Sequence, residues 1–471
     1  MIHFKGVETV KSGNKIFENL SWNITEGEHW LISGANGSGK TAFLELIAGK
    51  AHIVSGEVQY SFLSKKDWTA YFDGLKASML YIPAQAVHNL LQKQQGLFYQ
   101  QRYYASFNED IPTVREILEP NLKYLQQLDV PHNLSILPFL DLPLTRLSNG
   151  QFKKLLICEQ LSSRLAHPHT SAKMKLLLLD YPFEGLDAES RQDLCLFLEH
   201  IAETQNLQLI LTDHHHELPS VINRRLVLEN RKIVSVEDLR PTKSTGYTQT
   251  LNSQLPTTTN AEYNTVIEMR DVCISYGDKV ILNNFNWKVK QGERWVLCGK
   301  NGSGKTTLFS LIYADHPMAY SQGVYLFGKR RGSGESIWDI KNQINYLGPE
   351  VVSYFNPKAI RDTASNYLLQ KNKVTVQQLK ELLLFFEVEY FETQAVYQLS
   401  LGDLQLMLLM RCLLQEKPLL LLDEPFQFLD PNRKHKVAKY LQHYLDQDKT
   451  LILITHYDED VKHWTEYMMK L

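Results

Sequence analysis

Two short stretches of this 471-residue chain carry the same chemistry. Gly34-Ala35-Asn36-Gly37-Ser38-Gly39-Lys40-Thr41 and Gly299-Lys300-Asn301-Gly302-Ser303-Gly304-Lys305-Thr306 both fit G-x-x-x-x-G-K-[ST]. The glycines let successive backbone N–H groups curl around phosphate oxygens, and the helix that follows offers its positive N-terminus. The lysine neutralises the outer phosphates, and the threonine hydroxyl is a Mg²⁺ ligand. With the next residues, Ala42 and Thr307, these loops are the expected nucleotide-binding segments.

Asp180 and Asp423 each close an apolar LLLLD run. That placement suits the carboxylate a phosphate-loop enzyme uses beside Mg²⁺. Glu424 follows Asp423 and can orient or deprotonate an attacking water, whereas Tyr181 follows Asp180 and cannot do so near neutral pH. The two sites are chemically unequal.

The elements that must hold these residues follow from the same pattern. Apolar runs lead into both Gly-rich loops, and helical periodicity leads out, which reads as strand, loop, helix. The LLLLD runs read as buried parallel strands, so an α/β class with mainly parallel sheets is expected. A shift of 265 residues carries Trp22 onto Trp287, Trp30 onto Trp295 and Lys40 onto Lys305, and later landmarks recur in the same order. The expected organisation is one copy at 1–237, a second at 265–471, and a Thr-, Ser-, Asn- and Pro-rich tether at 238–264.

Composition excludes several classes. At 44% hydrophobic and 22% charged, the chain is neither disordered nor fibrous as a whole. Fifty Lys and Arg against 52 Asp and Glu do not advertise nucleic-acid binding by charge. Five scattered cysteines form no disulfide framework or zinc pattern, and fit a reducing cytoplasm. No secretory signal and no apolar run of membrane-spanning length is expected.

On these motifs the chain resembles tandem ATP-binding cassette (ABC) proteins, and the resemblance covers nearly everything outside the tether. It implies two P-loop NTPase domains, each with a mainly parallel sheet and a helical subdomain, using ATP and Mg²⁺. The family's signature loop corresponds to Leu147-Ser148-Asn149-Gly150-Gln151 and Leu399-Ser400-Leu401-Gly402-Asp403. The resemblance implies that each signature packs on the other cassette's phosphate loop. Site two then combines Lys305, Thr306, Asp423, Glu424 and His456 with Ser148, Gly150 and Gln151. Site one combines Lys40, Thr41, Asp180, Tyr181 and His214 with Ser400, Gly402 and Asp403; it lacks the glutamate and has an acidic signature end. Hydrolysis is expected at site two, with Glu424 and His456 catalytic, and nucleotide retention at site one.

The same resemblance makes Tyr276 the adenine-stacking ring; its counterpart Lys11 has no π face, and Phe17 or another nearby ring is the candidate substitute. It assigns Gln85 and Glu350 to Mg²⁺ beside Thr41, Asp180, Thr306 and Asp423, and His214 and His456 to sensing the γ-phosphate. His214, His215 and His216 are not expected to bind a metal together, because neighbours on an extended segment face opposite ways.

Two function classes follow. The first is the energy-coupling ATPase of a separate transmembrane permease, similar to the double-cassette proteins associated with molybdate transport and photorepair. It implies a cytoplasmic chain, peripheral at the inner face of the membrane, whose cassettes pair within one monomer. The second is a nucleotide-dependent switch acting on RNA, DNA or the ribosome; the segment 86–110, with interleaved Gln, Tyr, Phe and Arg, fits core packing with a polar loop first, and also a permease contact or a base-stacking surface. A tether that is not a long, charged helical linker and the missing first-half glutamate weigh against the switch.

Overall fold

The two LLLLD runs form strands Leu176–Asp180 and Leu419–Asp423 in the computed structural model of the chain, buried along their whole length. The structure describes residues 1–11, 14–63, 68–84, 86, 112–144, 147–166, 174–214, 217–239, 264–276, 279–371, 374–415, 417–444, 449–455, 465 and 467–471. The chain divides into two units, Met1–Thr245 and Gly246–Leu471. Of the expected tether, Asp238 ends a strand and residues 240–263 lie outside the described residues.

The first unit contains β1 (Ile2–Lys11), β2 (Asn14–Ile24), β3 (Trp30–Ser33), β4 (His52–Tyr60), β5 (Met79–Ile82), β6 (Leu176–Asp180), β7 (Gln208–Thr212), β8 (Arg224–Glu229) and β9 (Lys232–Asp238). An antiparallel sheet runs β2-β1-β4, and a second sheet runs β5-β6-β7-β3-β8-β9. The latter is parallel from β5 to β8, with β9 added antiparallel. Alternation splits the all-leucine strand β6 between two cores. Leu176 and Leu178 pack with the antiparallel sheet and the helix Lys40–Ile47, while Leu177 and Leu179 pack with the helices Asn149–Ala166 and Ala188–Thr204. Such double-sided burial explains why the strand reads as a continuous apolar run.

The second unit repeats this plan with β10 (Ile267–Tyr276), β11 (Lys279–Val289), β12 (Arg294–Cys298), β13 (Gly323–Leu326), β14 (Lys329–Arg330), β15 (Ile344–Leu347), β16 (Leu419–Asp423), β17 (Thr450–Ile454) and β18 (Tyr467–Lys470). Its parallel sheet runs β15-β16-β17-β12-β18, matching β5-β6-β7-β3-β8 position for position. The bounds of β10, β11 and the helix Lys305–Ile312 lie 265 residues after those of β1, β2 and Lys40–Ile47. In both units the phosphate loop leaves the carboxyl end of a strand separated by one neighbour from the strand that ends in aspartate, the edge where open α/β sheets place ligands. The expected α/β class and duplicated architecture are what the chain adopts.

Candidate functional site

Each Gly-rich loop has a backbone that only glycine supports at its tightest points. Gly34 has φ 142°, and a Cβ there would lie 2.1 Å from the Leu228 carbonyl oxygen; Gly299 has φ 150°, and its Cβ would lie 2.6 Å from that of Leu471. Gly39 and Gly304 enter the following helices in the left-handed region, at φ 103° and 106°, with no side-chain cap on the first N–H groups. The helix dipole adds positive potential there, which suits a phosphate. Gly37 and Gly302 also have positive φ, Ser38 is buried, and Asn36, Asn301, Ser303, Ala42 and Thr307 complete the two segments.

Both lysines fold over their own loops. Lys40 Nζ donates to the carbonyls of Gly34 (2.6 Å) and Ala35 (2.8 Å), and Lys305 Nζ to those of Gly299 (2.7 Å) and Lys300 (2.8 Å). The threonine hydroxyls point at the strand-end carboxylates: Thr41 Oγ1 donates to Asp180 Oδ2 at 3.0 Å, and Thr306 Oγ1 to Asp423 Oδ2 at 3.3 Å. Burial pushes the Asp180 carboxyl up, against hydrogen bonds from Thr212 and Thr41 and the charge of Lys40. A buried carboxylate and a hydroxyl already within contact distance are a hard-oxygen donor set that fits Mg²⁺.

Immediately after the aspartates, the two units place different chemistry on the same backbone. Tyr181 has φ 50° and Glu424 φ 52°. A non-glycine residue persists there only when its surroundings hold it. The Tyr181 N–H donates to the Thr212 carbonyl (3.1 Å) and that of Glu424 to Ile454 (2.8 Å), the last residues of β7 and β17. From that fixed point the Tyr181 hydroxyl reaches His214 Nε2 at 3.1 Å, and the same nitrogen lies 3.2 Å from Asn36 Oδ1 of the phosphate loop. Lys40 Nζ sits 5.7 Å from the Tyr181 ring centroid. Tyr181, His214, Asn36 and Lys40 thus form one constellation in the first unit. Glu424 is buried at the matching place in the second.

The signature residues start helices. Ser148 Oγ accepts from the Gln151 N–H (3.2 Å) while Gln151 Oε1 accepts from the Ser148 N–H (2.9 Å), a capping box. Ser400 and Asp403 form the same box, with Asp403 N–H to Ser400 Oγ at 3.1 Å. Gly150 and Gly402 are buried in the first turns. A Cβ on Gly150 would come within 3.1 Å of Ser190 Cβ. The Asp403 carboxylate is engaged within its own unit: it accepts from Ser400 Oγ (2.6 Å) and Tyr390 OH (2.5 Å) and pairs with Arg433 Nη1 at 2.7 Å. That network carried no motif and was not visible in the sequence.

Phe17 corrects one expectation. It is 1% exposed and packs edge-on against Phe43, with ring centroids 5.6 Å apart, so core packing takes the ring that base stacking requires. Tyr276 ends β10 and Lys11 ends β1, while Glu350 is the second residue of the helix Pro349–Tyr354; these three are placed by backbone alone. Gln85, His215, His216 and His456 lie outside the described residues, as does the segment 87–111.

Comparison with known proteins adds to this geometry. The family described as ABC transporter matches residues 17–184 and again 282–427. The ABC transporter ATP-binding protein ModF of Escherichia coli is 27% identical over 481 residues, covering 95% of this chain and 92% of that protein. An uncharacterized ABC transporter ATP-binding protein of Schizosaccharomyces pombe is 29% identical over 479 residues, with the same coverage of 95% and 92%. Among solved structures, a chain from a ribosome-bound archaeal Pelota and ABCE1 assembly aligns with a TM-score of 0.62 at 18% identity, covering 99% of this chain and 76% of that one. At that identity the likeness is one of fold.

Proposed function

This chain belongs to the ABC transporter family and is an ABC-type ATPase; on that premise we propose that its two cassettes divide the work, one hydrolysing ATP and the other retaining it. The observation that carries this reading is the exchange of Glu424 for Tyr181 on one backbone conformation. Glu424 orients or deprotonates the attacking water, and His456 carries the γ-phosphate-sensing role that the family resemblance implies. Tyr181 has no carboxylate to do this, and its hydroxyl is turned to His214.

The phosphate loops bind the triphosphates through the N–H groups after Gly34 and Gly299, through Lys40 and Lys305, and through the helix N-termini. Mg²⁺, held by Thr41 and Asp180 or by Thr306 and Asp423, neutralises charge on the β- and γ-phosphates when bound. On the family resemblance, Gln85 and Glu350 would act toward the same two ions, and Tyr276 would stack on the adenine of site two. On the family resemblance, Ser148, Gly150 and Gln151 would serve the nucleotide of site two, and Ser400 and Gly402 that of site one.

We assign the chain to the energy-coupling role in a transporter, cytoplasmic and peripheral at the inner face of the membrane, with a separate permease as partner. Supporting this is similarity to ModF over 95% of the chain. A molybdate-type oxyanion is the cargo class that the resemblance to double-cassette proteins implies. No helix among the described residues is long and apolar enough to cross a membrane.

The test is ATP turnover and bound-nucleotide stoichiometry of the purified chain. Glu424→Gln is expected to lower turnover by about 10²–10⁴ with two nucleotides still bound, and Tyr181→Phe to change it far less. Wild-type turnover in Glu424→Gln overturns the assignment. Detergent-free co-purification tests the partner: a membrane protein supports the permease role, and ribosomal or nucleic-acid material supports a translation- or repair-type switch instead.

A further inference from the structure

The residues packed behind Tyr181 differ from those behind Glu424 as a set. In the second cassette, Gln405 of the helix Leu401–Leu413 donates its amide to the carbonyls of Pro425 (3.1 Å) and Glu424 (3.5 Å). In the first, the matching residue of the helix Asn149–Ala166 is Lys153, whose Nζ donates to the carbonyls of Pro182 and Glu184 at 2.6 Å each and approaches that of Tyr181 at 3.5 Å. Two further neutral positions of the second cassette are also charged in the first. Gln427, whose N–H bonds the Glu424 carbonyl, becomes Glu184, whose N–H bonds that of Tyr181. Thr455, next after Ile454, becomes Asp213, next after Thr212. Glu184 and Asp213 are 5% and 1% exposed, and theirs are the negative charges that act on the Lys153 ammonium.

Charge is balanced across the exchange. Tyr181, Lys153, Glu184 and Asp213 sum to one formal negative charge, as Glu424, Gln405, Gln427 and Thr455 do. Unpaired buried charges are strongly disfavoured, so a cation entering this site needs its carboxylates. Hydrogen bonds from an ammonium are roughly twice as strong as those from a neutral amide. Asp213 Oδ1 also accepts the His214 N–H at 2.8 Å, so the cluster touches both the loop that presents Tyr181 and the histidine it meets.

We propose that Lys153, Glu184 and Asp213 lock the 181–184 loop of the first cassette in one conformation, making Lys153 a positioning residue for the Tyr181 and His214 pair and a determinant of how long site one retains its nucleotide. This rests on the reading of site one as a retaining site. The lock replaces a hydrolytic carboxylate by a rigid wall: the loop that bears a reacting group in the second cassette is clamped by charge in the first.

The test is release of radiolabelled ATP, loaded with Mg²⁺, from the full chain after rapid dilution. Wild type is expected to show a slow phase of about one nucleotide per chain, as a retaining site predicts. The charge-balanced double variant Lys153→Gln, Asp213→Thr, which carries the second-cassette residues, is expected to speed that phase at least about tenfold, while Lys153→Arg keeps it within about threefold by preserving the charge. A slow phase in wild type that the double variant leaves unchanged overturns the lock. Absence of a slow phase in wild type overturns the retaining site itself. Hydrogen exchange of wild type decides the lock in either case, including one where the double variant does not fold. The peptide 181–186 is expected to exchange about tenfold more slowly than 424–429, and equal rates overturn the proposal.

Discussion

The Tyr181 hydroxyl and His214 Nε2 lie 3.1 Å apart, and Asn36 Oδ1 is 3.2 Å from the same nitrogen. One ring nitrogen is either a donor or an acceptor, so the two neighbours compete for its role. Tyr181→Phe is expected to leave Asn36 as the ring's partner. The cost to stability is one side-chain hydrogen bond, about 0.5–1.5 kcal/mol. Denaturant unfolding measures that cost, and the side-chain ¹⁵N shift of His214 reports the change of partner.

Glycines of the first phosphate loop are not equivalent. Gly34→Ala puts a Cβ 2.1 Å from the Leu228 carbonyl at φ 142°, whereas at Gly37, φ 77°, a Cβ meets nothing within 4 Å. Gly37→Ala is expected to cost about 1–2 kcal/mol through backbone strain alone. Gly34→Ala is expected to cost more than that, because β3 and β8 must part. Thermal unfolding of the two variants side by side checks the order.

Asp403 and Arg433 pair at 2.7 Å in the second unit, where the first has Gln151 and Ser190 at the matching helix positions. Arg433→Ser leaves a buried carboxylate without its cation and is expected to cost about 3–5 kcal/mol. The double variant Arg433→Ser, Asp403→Gln installs the first-unit solution and is expected to recover most of the loss. A double-mutant cycle by urea unfolding gives the coupling energy, and additive effects contradict the pairing.

Burial pulls the Lys153 ammonium down from 10.5 to about 8, against the opposite pull of Glu184 and Asp213. Between these two values the unfolded chain binds more protons than the folded one at this group. Its contribution to stability therefore rises as pH climbs from about 8 to 10.5 and is flat below about 8. The difference in unfolding free energy between wild type and the Lys153→Gln, Asp213→Thr variant is expected to shift in favour of wild type across that window.

Much of the architecture was legible because duplication wrote it twice. The matching bounds of β1 and β10, and of the two phosphate helices, follow from one repeated spacing. Strand-end aspartates were legible because all-leucine runs admit little except a doubly buried strand. The clamps were not. Lys153 reads as an ordinary surface residue of a helix until its partners, backbone carbonyls some thirty residues ahead in the chain, are in place. Asp403 read only as the acidic end of a signature, and nothing in that motif announced that Arg433, Tyr390 and Ser400 hold its carboxylate. Phe17 looked available because type and proximity say nothing about exposure.

The pairing of Asp403 with Arg433 also bears on how two copies inside one gene stay different. Short tracts of sequence copied from one half onto the other tend to erase divergence between duplicates. A tract that replaced Asp403 with the glutamine of the first half, but stopped before Arg433, would leave the enclosed guanidinium only its longer contact with Asp430, at 3.8 Å. A tract that reached only Arg433 would leave the carboxylate behind. Either product is expected to lose stability, as a broken buried pair does, and a cost of that kind would oppose piecemeal homogenisation of the two halves.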